Sequence, residues 1–148
     1  MSAAPPTEVA RELGEHLDTL RVRDHQRAAL LRRYGFRDLA EAYDDGSQWA
    51  EQARLRLGHY GLLGRAETHA TAGTTLPQRD RMQALTRLVR GDLAQNRRRA
   101  RDLGRLADRA EDDVQTQARA AQAQVVDQTA RLSADLRRRL TDWSRGVR

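Results

Sequence analysis

Apolar or small residues recur in the C-terminal half at positions 82, 85, 89, 93, 96, 100, 103, 107, 110, 114, 118, 121, 125, 128, 132, 136, 140 and 143. Their mean spacing of about 3.6 residues is the period of an undistorted α-helix. Only two members of the series are polar, Asn96 and Gln128. Gly91 and Gly104 are the only strong breakers between 78 and 143, each costing about 1 kcal/mol in a helix. The pattern predicts one long amphipathic helix over 78–145, with Gly104 as the place for a bend. A straight helix of about 65 residues would be roughly 100 Å long, well beyond the width of a compact chain of this size. Either it breaks, near Gly104 or in "AEDD", and folds back, or it stays continuous and a second copy covers it. The seam Val114, Ala118, Ala121, Val125, Leu132, Leu136, Leu140 and Trp143 is mostly Ala and Val up to 125. Such a seam buries little area per turn, which favours self-association, as a homodimer or coiled coil.

Upstream, Pro5 and Pro6 close a leader, residues 1–6, expected to be disordered, and Thr7 with Glu8 reads as a helix start. Val9, Leu13, Leu17, Leu20, Ala28 and Leu31 then mark a first helix ending near Gly35. "FRDLAEAY" predicts a short second helix with Phe36, Leu39 and Tyr43 on one side. "DDGS" reads as an interruption, with Asp45 and Gln48 as a capping box for a third helix through Trp49, Ala53, Leu57 and Tyr60. That helix is expected to continue imperfectly to about Ala70, its glycines 58, 61 and 64 forming one face. "TAGTTLP" is the clearest loop, with Thr75 and Gln78 as a further capping box. The expected architecture is all-α: a helical bundle head over 7–72, two main helices and a short one, packed on the long C-terminal helix.

Composition supports this class. Ala, Leu, Arg, Gln and Glu dominate, and these favour helix; β-branched residues are scarce. Aromatics are 4% of the chain, and five of the six lie between residues 34 and 60, where they are expected to nucleate the core. All 27 basic residues are Arg, so part of the arginine content reads as the coding bias of a GC-rich, bacterial genome. The opening residues lack the basic and apolar regions of a signal peptide, and no apolar run approaches the ~20 residues of a membrane span. A cytoplasmic protein is the expectation.

Charge changes the picture because it is uneven. Residues 73–110 carry ten Arg against four acids, while 1–72 and 111–148 are nearly balanced. On a helical wheel at 100° per residue, Arg79, Arg87, Arg90, Arg97, Arg98, Arg101, Arg105 and Arg109 fall within one third of the circumference. Met82, Leu85, Val89, Leu93 and Leu103 lie opposite, and only Arg81 and Arg99 stray to the apolar edge. A solvated helix face normally mixes signs through i,i+4 pairs, and here acids are sparse. The stripe is therefore a candidate footprint for DNA or RNA phosphates. No aromatic lies between 61 and 142, which argues against sequence-specific reading of single strands. Arg137, Arg138 and Arg139 sit in the last helical turns, where cations complement the helix dipole. The apolar face thins to alanine after residue 107, unlike helices that lie on membrane surfaces.

Chemistry is thinly represented. The chain has no Cys and no Lys, which excludes thiolate–zinc sites, thiol nucleophiles and Schiff bases. Its histidines, 16, 25, 59 and 69, show neither Glu-x-x-His nor His-Glu-x-x-His spacing. His16 beside Glu12 and Glu15 would bind a metal only if His59 came near. The expectation is a protein with no metal, no cofactor and no catalytic residue. It would be a helical interaction or scaffold protein acting through its long helix on a protein partner, with sequence-nonspecific nucleic-acid binding through the stripe as the alternative.

Overall fold

A computed structural model describes residues 6–57 and 78–146, which form four α-helices and no strand. These are α1 (Pro6–Arg33), α2 (Arg37–Arg56), α3 (Gln78–Arg109) and α4 (Asp112–Ser144). The fold is an all-α helical bundle, as the sequence predicts. The proposed continuation to Ala70, the glycines at 58, 61 and 64, Tyr60, the "TAGTTLP" loop, and the leader before Pro6 lie outside the described residues.

Each boundary has a local cause. Proline is tolerated in a first turn, where its missing N–H has no intrahelical partner, and α1 opens on Pro6. α1 ends where Gly35 takes φ +82°. The Phe36 N–H donates to Leu31 O (2.9 Å) and the Gly35 N–H to Arg32 O (3.1 Å), the paired bonds of a Schellman stop. Leu31 and Phe36 share one apolar cluster, supplying the hydrophobic contact that accompanies such a stop.

Three expectations are corrected. "DDGS" does not interrupt: α2 runs unbroken from Arg37 to Arg56, so one helix replaces the short and main pair. Asp44 and Asp45 are spent on ion pairs with Arg32 and Arg131 rather than on a cap. Residues 78–145 are not one helix either. α3 stops at Arg109, Glu111 is extended (φ −124°, ψ 157°), and Asp112 takes φ +54°. The turn falls in "AEDD", where Asp tolerates the left-handed region and Asp112 and Asp113 favour a new helix N-terminus. Gly104, the expected bend, lies inside α3 and is buried. Gln122 of α4 donates from Nε2 to Ala100 O (3.0 Å) over it, and a Cβ at 104 would stand 2.6 Å from that nitrogen. Glycine there lets α4 approach; it does not bend α3.

Folding back, one of the two outcomes the sequence pattern allows, covers most of the seam. Val114, Ala118, Ala121, Val125, Leu132 and Leu136 are all buried within the chain itself. Leu140 is half-buried against the same core, and Trp143 stays 37% exposed. Six of the eight seam residues are thus covered by the chain's own helices.

Helix order follows from the cross-contacts. Asp18–Arg54 and Arg32–Asp44 join α1 to α2, and Asp38–Arg138 and Asp45–Arg131 join α2 to α4. Asn96–Gln128 and Asp108–Arg119 join α3 to α4, and Glu12–Arg109 and Arg27–Asp92 join α1 to α3. In every set one number rises as the other falls, so all adjacent helices are antiparallel around a square α1–α2–α4–α3. Antiparallel neighbours set opposite helix dipole ends together. α2 therefore ends, and α3 begins, at opposite ends of the bundle.

The core is split in two. One apolar cluster joins Leu13 and Leu17 to Leu57, Leu103, Leu106 and Val125; the other joins Leu31, Phe36 and Leu39 to Met82, Val89 and Leu132. Between them lie Asp24, Asp92, Asn96 and Gln128, each at most 5% exposed. Gly46 of α2 makes room for this layer, since a Cβ there would collide with Gln128 Nε2 and Asp24 Oδ2. Those atoms are hydrogen-bonded to each other at 2.7 Å, so they cannot swing aside without losing a partner. Gly46→Ala is expected to lower stability by about 1–3 kcal/mol through overpacking, against the helix propensity of alanine. Gly91→Ala, which meets nothing within 4 Å, is expected to raise it by about 0.5–1 kcal/mol. Urea denaturation midpoints of the two variants check both signs.

Candidate anion-binding face

The densest chemistry is in the buried layer, where seven side chains close on one another. Arg23 donates from Nε to Asp24 Oδ1 (2.8 Å), from Nη1 to Asn96 Oδ1 (2.8 Å) and from Nη2 to Gln128 Oε1 (3.2 Å). Asn96 Nδ2 donates to Gln128 Oε1 (3.0 Å). Asp92 Oδ2 accepts from the Tyr43 hydroxyl (2.6 Å) and from Arg27 Nε (3.0 Å). Arg23 also lies 5.8 Å from the centroid of the Tyr43 ring, within cation–π range.

Burial pushes the Asp24 carboxyl above its usual range, with Arg23 and Gln128 pulling it back only in part. Burial works against the Arg23 charge as well, but Asp24 and Asp92 outweigh it and the guanidinium ends above its ordinary value. Burial, and then Asp92, raise the Tyr43 phenol, which stays a donor. Two Arg and two Asp balance here, and every group is committed to a neighbour. The layer is built to hold helices, with little of it left to face a ligand.

The outward side of α3 is the opposite case. Arg79, Arg87, Arg90, Arg97, Arg98, Arg101, Arg105 and Arg109 are all exposed. Arg109 makes a forked pair with both carboxylate oxygens of Glu12, at 3.2 Å each. The other seven have no acidic partner among the described residues. Elsewhere many arginines are paired: Arg131 and Arg138 of α4 meet Asp45 and Asp38 of α2, and Arg139 also lies over the Phe36 ring. Asp108, on the rim of the stripe, is taken by Arg119. The stripe keeps its excess because the bundle consumes acids on its other faces.

Arg99, placed at the apolar edge, leaves the stripe for α1, where its Nη1 donates to His16 Nδ1 (3.1 Å). Glu12, Glu15 and Thr19 line the same hollow. An arginine only donates, so His16 accepts at Nδ1 in its neutral form. Among the described residues no group of three His, Asp or Glu is placed to hold a metal ion; His59 and His69 lie outside them.

α4 returns alongside α3, and two open hollows lie along the pair. One, of about 540 Å³, is lined by Met82, Thr86, Arg87 and Arg90 with Trp143 opposite. The next, of about 440 Å³, shares Arg90 and adds Arg97, Arg137 and Leu140. Trp143 and Arg137 are the members that sequence reasoning did not join to the stripe. Both are far from it along the chain and reach it only through the turn at residues 110–112. Known protein families, curated proteins and solved structures contain no match to this chain. No helix among the described residues is long and apolar enough to cross a membrane.

The His16 contact has a pH consequence. Burial, and then the Arg99 charge, lower its pKa, with Asp102, Glu12 and Glu15 opposing them. A histidine whose folded pKa lies below its unfolded value binds fewer protons when folded. Stability is therefore lost as pH falls below about 6.5 toward the folded pKa. His16→Gln, which keeps an acceptor for Arg99 and does not titrate, is expected to lose less stability than the wild type between about pH 7.5 and 5.5. Equal losses in urea titrations at the two pH values would show that His16 contributes nothing to the acid response.

Proposed function

We propose that this chain is a non-enzymatic helical binding protein whose α3 arginine face holds nucleic-acid phosphates without reading sequence. The observation that carries the reading is the row of seven exposed α3 arginines with no acidic partner among the described residues, on a bundle whose other arginines are largely paired. The apolar side of the same helix is committed to the core, so the partner-facing side is the basic one. From Arg79 to Arg105 the row is about 39 Å long, enough to run past about 11 base pairs of duplex at ~3.4 Å each. Guanidinium groups suit this role because their planar fork matches phosphate oxygens and they stay charged at any working pH. A protein acting on intracellular nucleic acid fits the cytoplasmic setting expected from the sequence.

Salt is the test. Affinity for a mixed-sequence DNA duplex, read by fluorescence anisotropy, is expected to fall steeply between about 50 and 200 mM salt. Replacing Arg98, Arg101 and Arg105 by Ala should weaken binding uniformly across sequences and reduce the log–log salt slope by about 2 to 3. Absence of binding at the lower salt would sink the reading. Tighter retention of an acidic polypeptide than of DNA or RNA would transfer the face to a protein partner.

A further inference from the structure

We propose that the groove between α3 and the end of α4 is a site for single-stranded nucleic acid. One unstacked base lies on Trp143, and the adjoining phosphates cross Arg87, Arg90, Arg97 and Arg137. This rests on the phosphate-binding reading of α3 and adds the form of strand that the groove accepts.

Among the described residues Trp143 is one of three large apolar side chains left exposed, with Leu55 and Val126. Among the described residues no cation or ring stacks on it. A tryptophan that lined only the core would be covered; this one forms the wall of a hollow of about 540 Å³ opposite Arg87 and Arg90. That size lies within the range of small-molecule sites and accommodates a nucleoside. Met82 and Thr86 give it a partly apolar floor.

The path for the backbone is continuous, because Arg90 lines both hollows. From Arg87 to Arg97 α3 rises about 15 Å, room for two to three nucleotides. Arg137 reaches the second hollow from the α4 side, so the track has cations on both banks. Among the described residues no acidic side chain lines either hollow. A flat aromatic face beside a cationic track is the combination that holds single strands, because every base offers a π-face while phosphate contacts ignore sequence. A duplex keeps its bases stacked inside and offers none to Trp143. The cationic row farther round α3, Arg98, Arg101 and Arg105, lies outside the groove and is open to either form of strand.

The test compares a labelled oligothymidylate with a mixed-sequence duplex of equal length, both titrated with the full chain by anisotropy. Trp143→Ala is expected to weaken single-strand binding by about 5- to 100-fold, and Trp143→Phe by no more than about 3-fold. Duplex affinity should change with neither variant. In a Trp49→Phe background, oligothymidylate should quench Trp143 emission, and a polyphosphate of similar charge should not. Circular dichroism melts establish that both Trp143 variants fold, and Trp143→Phe keeps an aromatic surface in place. Single-strand affinity unaffected by Trp143→Ala, or an equal loss on duplex, would overturn the groove assignment while leaving the α3 reading intact. Binding of neither form by the wild type at low salt would overturn both.

Discussion

The Arg23–Asp24 pair, clasped by Asn96 and Gln128, is the constraint on which the rest of the bundle depends. These four side chains come from α1, α3 and α4 and share five hydrogen bonds. A buried ion pair does little for net stability compared with a well-packed apolar layer, because desolvation offsets most of its attraction. It does penalise every arrangement that leaves it unpaired. A slip of either α3 or α4 by one turn would strand Asp24 or Arg23 in an apolar core, at a cost of several kcal/mol. Alanine-rich helices pack nearly as well in neighbouring registers, since their seams lack distinctive shapes. Here the polar layer selects one register, and the two apolar clusters fall into place above and below it.

That register in turn sets the surface. With α1 and α3 antiparallel about the Arg27–Asp92 and Arg23–Asn96 contacts, Glu12 reaches Arg109 and His16 reaches Arg99. With α2 opposite α4, Asp38 and Asp45 meet Arg138 and Arg131. Most acids of the first two helices are thereby held next to α1 and α4, and among the described residues only Glu12 meets a stripe arginine, Arg109. Exposed pairs of this kind contribute about 0–1 kcal/mol each, so they scarcely affect stability. Their consequence is electrostatic: they neutralise charge on the other helices and leave the seven α3 arginines without an acidic partner among the described residues as a basic row.

Much of this was legible in the sequence where one helix alone decides the outcome. The 3.6 period located the core side of α3 and α4 down to individual residues, Met82, Val89, Leu103, Val125 and Leu132 among them. The wheel placed the eight stripe arginines in the solvent, where they are. Asn96 and Gln128 stood out as the two polar members of an apolar series, and they bond to each other. What failed were features that one helix cannot announce. Arg23, Asp24 and Arg27 look like surface charges until α3 and α4 are rotated onto them. Gly46 and Gly104 look like breaks because glycine is a poor helix former, yet each leaves space that a neighbouring amide fills. The true turn carries neither Gly nor Pro. Acidic residues that suit a new helix start mark it, in the "AEDD" stretch that the sequence offers beside Gly104 as a place to break.

The position of that turn explains why charge and stacking surface occur together. Had α3 and α4 been one rod, Trp143 would stand about 95 Å from the start of the stripe. Reversal at residues 110–112 brings residue 143 back opposite residues 82–90. Because α3 and α4 are similar in length, the end of α4 must fall near the beginning of α3, whatever residue stands there. An arginine at 143 would have extended the cationic track, and a leucine could have closed the hollow against Met82. Tryptophan instead leaves a large ring partly in water at the one place where the groove has cations on both banks. The placement follows from helix length, and the choice of residue is what gives that placement a chemistry suited to an unstacked base.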